Sequence, residues 1–445
     1  MRKSIAIIVD NAARDLSAGI LLASELAKHY HVSLVPMSQA STDIFRIQPD
    51  LVILNFLRET NKALVKRLIR CGIKYSVLDT EGAVFMSLPG SKDTSYTKTI
   101  PQDEFIRSKV EQFFVWGTAL FDDLVERNIY PREAMQLCGS PRMDFYHSSF
   151  RSYFLNNQKD IRPNILFNTS FAVNNPRFST REGEIEMLVS KFGYEREFIL
   201  KLVSQLDEVQ NTYIFLARFL AEQLPEVEII FRPHPFEKPS VYEDSFKDIP
   251  NIRIKSDGSV SELIHKTSSI VHFECSTAVE GAFAGKPAFS LEKFKNVRPV
   301  PIVQAVTEYV TDEKDLLERV KLCLSGQYQN PEAISAQVKK VEEAYFYRVD
   351  GQAFKRIASL VSSDLDKTDT KKTPIHTFWA QLYFIAMLGR SLIKRIVKGQ
   401  LVPEGKKMKP EELTHICKNL GLMRDLQIDW KRIPLSSSFR IFIKN

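Results

Sequence analysis

Five short apolar runs punctuate the N-terminal half of this chain of 445 residues: Ile5 to Val9, Val32 to Pro36, Leu51 to Asn55, Tyr75 to Leu78 and Phe113 to Trp116. Helix-period segments lie between most of them. Leu16, Ile20, Leu22, Ala23, Leu26 and Ala27 share one helical stripe, and Lys62 to Cys71 repeats the theme before Gly72. A short run that is apolar throughout reads as a strand covered on both faces, so strands alternating with helices predict a doubly wound parallel sheet.

The pattern restarts after a polar, irregular stretch. Around Cys138-Gly-Ser-Pro-Arg142 to Asn164 the periodicity lapses, and Ile165-Leu-Phe167 then begins a second βα series. A chain this long exceeds what one core supports, so two α/β domains and an appendage are expected. The expected fold class is therefore α/β, with two doubly wound Rossmann-like domains at 1–155 and 160–362, the second ending in a closing helix, followed by a basic helical tail at 373–445.

Two elements of the second half carry most of the functional signal. The strand Glu228 to Phe231 stops at Arg232-Pro-His-Pro235, where two prolines forbid its continuation and hold Arg232 and His234 at a strand's carboxyl end. The strand Ile270 to Phe273 ends at Glu274-Cys-Ser-Thr277, and Thr277 with Glu280 has capping-box spacing. An arginine fork, an imidazole and a helix N-terminus together make a site for phosphate, hence for a nucleotide. The bland account is that Thr277 and Glu280 only cap a helix and that His234 is a satisfied buried histidine.

Other candidates stand at strand ends. Asp79 and Glu81 precede Gly82, where a carboxylate can deprotonate an acceptor hydroxyl or act as nucleophile; Glu81 is the first choice and Asp79 the second. Asn168 and Thr169 follow the first strand of the second domain and can bind phosphate, although an Asn-Thr turn is equally ordinary loop chemistry. Asn11 and Arg14 follow the first strand and are candidate substrate contacts, with helix capping the blander role for Asn11. Glu280 either reaches a ribose or caps.

Composition limits the alternatives. Apolar residues at 44% and charged residues at 26% are globular averages. The five cysteines are scattered without metal spacing, and the histidines show no ligand pattern, so a reducing cytosol, no metal and no cofactor are expected. The short apolar start before Asp10 suits a first strand rather than an export signal. From Lys371 onward 15 Lys and Arg face 5 Asp and Glu, which is +10 within a whole-chain +7 and leaves −3 for the body, so no nucleic-acid groove is expected. Thr377 to Lys398 puts aromatic and aliphatic residues ahead of Arg390, Lys394, Arg395 and Lys398. Its apolar core is too short to span a bilayer. Two readings are open: a helix lying on the inner-membrane surface, or one packed against the body or a partner protein.

In order along the chain, Asp79-Thr-Glu-Gly82, Trp116-Gly117, Gly139-Ser-Pro-Arg-Met-Asp144, Ile165-Leu-Phe-Asn-Thr169, Arg232-Pro-His-Pro235, Glu274-Cys-Ser-Thr277 with Glu280-Gly281, and Asp350-Gly351 with Arg356-Ile357 resemble the GT-B glycosyltransferases of bacterial surface polysaccharide (capsule, O-antigen, lipopolysaccharide) assembly, in particular the group related to β-Kdo transferases. The resemblance implies metal-independent transfer from a nucleotide-sugar donor, most directly CMP-Kdo or a similar acidic sugar. It implies a growing glycan or lipid-linked acceptor at the N-terminal domain. His234, Ser276 and Thr277 would hold the CMP phosphate, and Arg232 would add charge to the leaving group. The chain departs from the family pattern after Gly82, where Ala83 stands in place of a second glycine. A nucleotide-sugar epimerase of the same fold and a non-catalytic nucleotide-binding scaffold of the assembly complex are the rival readings.

Overall fold

The computed structural model describes residues 2–80, 99–155, 163–256, 258–367, 371–398, 407–434 and 436–444. They form two compact units, Met1–Asn156 with Glu342–Asn445, and Asn157–Val341. Each is built on its own sheet.

In the first unit, β1 (Ser4–Val9), β2 (His31–Pro36), β3 (Leu51–Leu54), β4 (Lys74–Leu78), β5 (Val110–Val115) and β6 (Met135–Leu137) are parallel and ordered 2-1-3-4-5-6. Their apolar runs are buried because helices cover both faces. Ile5, Ile7 and Val9 enter one core, where the helix Ala12–Leu26 packs, whereas Ala6 and Ile8 enter the other with the helices Ala40–Ile47 and Lys62–Arg70. In the second unit, β7 (Asn164–Asn168), β8 (Glu228–Arg232), β9 (Ile252–Ile254), β10 (Ser269–His272), β11 (Ala288–Leu291) and β12 (Glu308–Val310) form a wholly parallel sheet of order 12-11-10-7-8-9. The expected pair of doubly wound α/β sheets is thus what the chain forms.

The tail departs from a purely helical appendage. Its helices, Pro374–Lys398 and Pro410–Arg424, are present, but β13 (Gln427–Arg432) and β14 (Phe439–Lys444) then form a hairpin, and β14 lies antiparallel to β2 with Phe439 opposite Leu34. Ile428, Phe439 and Ile441 join the first core. Two strands thereby extend the N-terminal sheet and cover the edge that β2 would otherwise expose.

The chain also re-enters the first unit at Glu342, ahead of the closing helix. That helix, Ala353–Lys367, packs on Ala12–Leu26 and starts on a side chain distant in sequence: fully buried Asp144 accepts from Ala353 N at 3.0 Å and Phe354 N at 2.9 Å. Asp144 is a long-range N-cap. Arg356 adds a two-pronged pair with Asp350 at 2.9 and 2.7 Å and a bond to the Cys138 carbonyl at 2.9 Å. Gly117 is required by close approach, since a Cβ there would lie 2.3 Å from the Tyr345 carbonyl carbon. These motifs of the family resemblance therefore have a structural use in this chain.

Candidate functional site

In an open α/β sheet, ligands bind outside the strands' carboxyl ends, where the winding direction reverses. In the second unit β7 leads to β8 and β9 on one side, and the chain then returns to place β10 on the other. The switch point is thus between β7 and β10. Asn168 ends β7, with Arg232 of β8 and His272 of β10 as its register partners. The sequence candidates Asn168, Thr169, Arg232, His234, Ser276 and Thr277 all lie on the segments issuing from these three adjacent ends.

Glu237 organises the β7 and β8 loops. Its fully buried carboxylate accepts from Thr169 Oγ1 at 2.8 Å, Phe171 N at 2.7 Å and His234 N at 3.3 Å, and also from the Tyr242 hydroxyl. Burial raises its pKa, and these donors oppose the rise. Thr169 Oγ1 in turn accepts from His234 N at 3.2 Å. The Arg-Pro-His-Pro turn is therefore fixed to the Asn-Thr turn through one carboxylate.

His234 is half-buried, and its Nδ1 accepts from Phe236 N at 3.3 Å. Burial first, then the charges of Arg298 and Arg232, hold its pKa below the ordinary histidine value. It is consequently neutral at pH 7, and with Nδ1 accepting, its proton sits on Nε2 as a donor. The Arg232 guanidinium donates to Gly258 O at 2.8 Å and Lys255 O at 3.4 Å, beyond β9, while its charge acts on His234. The arginine joined to the Asn-Thr loop is instead Arg298, which donates to Ser170 O at 3.0 Å and to Ser170 Oγ, with its guanidinium 5.4 Å from the Phe273 ring centroid.

Beyond β10 the backbone turns sharply. Glu274 has φ +42°, a conformation that costs an L-residue energy and persists only when its surroundings impose it. Val300 N at 2.9 Å, Gln304 Nε2 at 3.2 Å and Tyr309 OH at 3.2 Å hold its carboxylate and impose that turn. The capping-box expectation is corrected here. Ser276, exposed, is the N-cap, in αR conformation and without a side-chain cap bond, and Thr277 is the first residue of the helix Thr277–Phe283. Thr277 Oγ1 is buried with only the Cys275 thiol beside it as a partner, and Asn168 Oδ1 is buried without one. Glu280 is buried in the first turn of this helix. Two buried oxygens, Asn168 Oδ1 and Thr277 Oγ1, thus stand at the switch point, where a ligand or water can satisfy them.

The first unit has a counterpart between β1 and β3. A cavity of about 40 Å³ there is lined by Asn55, Asp79, Thr80, Trp116 and Ser140 among others. Both polar atoms of the Asn55 carboxamide and the Trp116 Nε1 are buried without partners. Asp79 is buried, 3.9 Å from Arg58 Nη2. Asn11 holds the N-cap position of Ala12–Leu26 without a side-chain cap bond, and Arg14 is bonded to Asp15 at 2.7 and 3.0 Å and to Thr80 Oγ1 at 3.4 Å. Glu81 lies outside the described residues. Among the described residues, no group of three or more His, Cys, Asp or Glu side chains is arranged to hold a metal.

Sequence reasoning missed Glu237, Ser170, Arg298 and Asn55, and it gave Glu274 of the Glu-Cys-Ser-Thr motif no role of its own. Only Glu237 carried a local cue, three residues after His234 in the same proline-bounded turn.

No family model and no curated protein matches the chain. Among solved structures it is similar to a UDP-N-acetylglucosamine 2-epimerase (14% identity, covering 84% of this chain and 99% of that one, TM-score 0.47). It is also similar to the UDP-GlcNAc 2-epimerase from Neisseria meningitidis bound to UDP-GlcNAc (12%, 82% and 100%, TM-score 0.44). A third is the wall teichoic acid polymerase TagF in a CDPG-soaked variant form (11%, 82% and 90%, TM-score 0.48). At these identities none of them assigns a role to a residue of this chain.

Proposed function

We propose that the carboxyl ends of β7, β8 and β10 bind the phosphate of a nucleotide-activated sugar and that the protein is a glycosyltransferase. The supporting observation is the switch point itself: a neutral His234 with its proton on Nε2, the Arg298 guanidinium on the Asn-Thr loop, and the buried oxygens Asn168 Oδ1 and Thr277 Oγ1 gather at the ends of three adjacent strands. In transfer, negative charge develops on the departing phosphate, and preorganised donors that need no reorganisation stabilise it most. His234 Nε2–H and Thr277 Oγ–H supply such donors, and Arg298 supplies charge.

CMP-Kdo or a similar acidic-sugar nucleotide is the first candidate donor, on the resemblance of the Arg-Pro-His-Pro and Glu-Cys-Ser-Thr motifs. The acceptor, a growing surface polysaccharide or a lipid-linked glycan, is assigned to the first unit, with Asp79 or Glu81 as base and Asn11 and Arg14 nearby. Asn168, Thr169, Ser276 and Glu280 complete the donor side.

Calorimetric titration with CMP, UDP, GDP and CDP tests the donor assignment. CMP-selective binding lost in His234→Ala supports it, UDP or GDP selectivity redirects it, and no binding to any removes the nucleotide site. Incubation with the bound nucleotide's sugar then separates the enzymes, since a transferase releases nucleotide whereas an epimerase returns an isomeric nucleotide-sugar.

A further inference from the structure

We propose that the outer face of the helix Pro374–Lys398 docks the first unit onto an anionic lipid bilayer. This helix has two apolar faces. On one, Trp379, Ala380, Tyr383 and Phe384 pack on the second core of the first unit. Arg70 clasps that face, donating to Tyr383 OH at 2.8 Å with its guanidinium 5.0 Å from the Trp379 centroid, and Phe45 stacks obliquely on Tyr383 at 5.5 Å. The helix is thereby fixed in orientation, and its opposite face is fixed outward.

That outward face is apolar. Ile375, Phe378, Leu382, Ile385, Leu388 and Ile393 are 60, 59, 43, 66, 42 and 63% exposed. Their spacing of three to five residues keeps them on one side of a helix, along about 27 Å at 1.5 Å per residue. A contiguous exposed stripe of large side chains marks an interaction surface, unlike single exposed apolar residues.

Charge identifies the occupant. The 25 residues of the helix contain no Asp or Glu, while Arg390, Lys394, Arg395 and Lys398 fall in its C-terminal third. In the neighbouring helix Lys62–Arg70, Lys62 and Lys66 pair with Glu59 and Asp103, whereas Arg67 and Arg70 add positive charge against Tyr383 and Trp379. Pairing two copies of this helix in parallel would bring like charges together, and in either orientation no carboxylate on the helix would offset them. Anionic headgroups supply the missing sign, and the stripe enters the headgroup and acyl boundary. No described helix is long and apolar enough to cross a membrane, so the helix lies in the interface plane.

The test uses the full chain and vesicles of phosphatidylcholine alone or with a third phosphatidylglycerol. The protein is expected to sediment with the anionic vesicles, much less with neutral ones, and less as salt rises. In Phe378→Glu/Ile385→Glu partitioning should fall at least about tenfold, because two large apolar side chains lose their burial in the interface. Both positions are exposed, so its thermal unfolding should match the parent. A second variant, Lys394→Glu/Arg395→Glu, should weaken binding to anionic vesicles selectively. Wild-type protein left in the supernatant with anionic vesicles overturns the proposal, as does unchanged sedimentation of the apolar variant. A dimer in analytical ultracentrifugation that the same variant abolishes, with no vesicle binding, would instead make the occupant a second copy.

Discussion

Acid should destabilise the second unit through a single histidine. His272, at the end of β10, is completely buried, and both ring nitrogens are committed: Nδ1 accepts from Cys275 N at 3.4 Å, and Nε2 lies 3.1 Å from Thr307 Oγ1, whose own proton goes to Val303 O at 2.6 Å. This network admits the neutral Nε2–H tautomer, and burial pulls the pKa down from 6.5 to about 3. The unfolded chain takes up a proton near pH 6.5 and the folded chain does not, so stability is complete above that pH and is lost as pH falls toward 3. The slope is about 1.4 kcal/mol per pH unit, which gives a loss of about 2 kcal/mol by pH 5 and about 4–5 kcal/mol over the whole window. Urea unfolding of wild type and His272→Gln at pH 7 and pH 5 measures it. The glutamine variant loses packing at both values but lacks the titration, so the stability gap should shrink by about 2 kcal/mol at pH 5. Circular dichroism follows both units, whereas Trp116, Trp379 and Trp430, all in the first unit, report that unit alone. A gap that stays constant between the two pH values would refute the assignment.

Three further outcomes are expected. Gly117→Ala forces a Cβ to 2.3 and 2.4 Å from the backbone of Tyr345 and Ala344, so tryptophan-detected stability should drop by about 2–3 kcal/mol or more; a loss under about 0.5 kcal/mol would show that this segment yields freely. Glu237→Ala strips the buried carboxylate from Thr169, Phe171, His234 and Tyr242 and should cost about 3 kcal/mol or more together with most nucleotide affinity, with Glu237→Gln intermediate in calorimetry and thermal unfolding. Because an incoming phosphate raises the depressed pKa of His234, nucleotide affinity should rise as pH falls below neutrality, with proton uptake on binding, and this dependence should vanish in His234→Gln; equal pH profiles for the two proteins would remove the imidazole from the site.

The strands were readable because they are covered on both faces: Ile5 to Val9 and Leu51 to Leu54 must be apolar at nearly every position, and this leaves a local signature. The Arg-Pro-His-Pro turn was readable for a similar reason, since proline stops a ladder whatever surrounds it. Those local rules determined the alternation, the two-sheet class and the location of His234, Thr277 and Asn168 at strand ends. Pairing across long sequence distances was decided only on folding. Nothing near Phe439 announces that it will lie opposite Leu34, and nothing near Asp144 announces that it caps a helix starting at Ala353. The same holds for charge: Arg232 is announced by the proline that follows it, whereas nothing near Arg298 announces that it will reach Ser170. Sequence set which residues end each strand, because periodicity and proline act over a few neighbours; tertiary structure chose which side chains meet there, because hydrogen-bond partners are selected by distance in space.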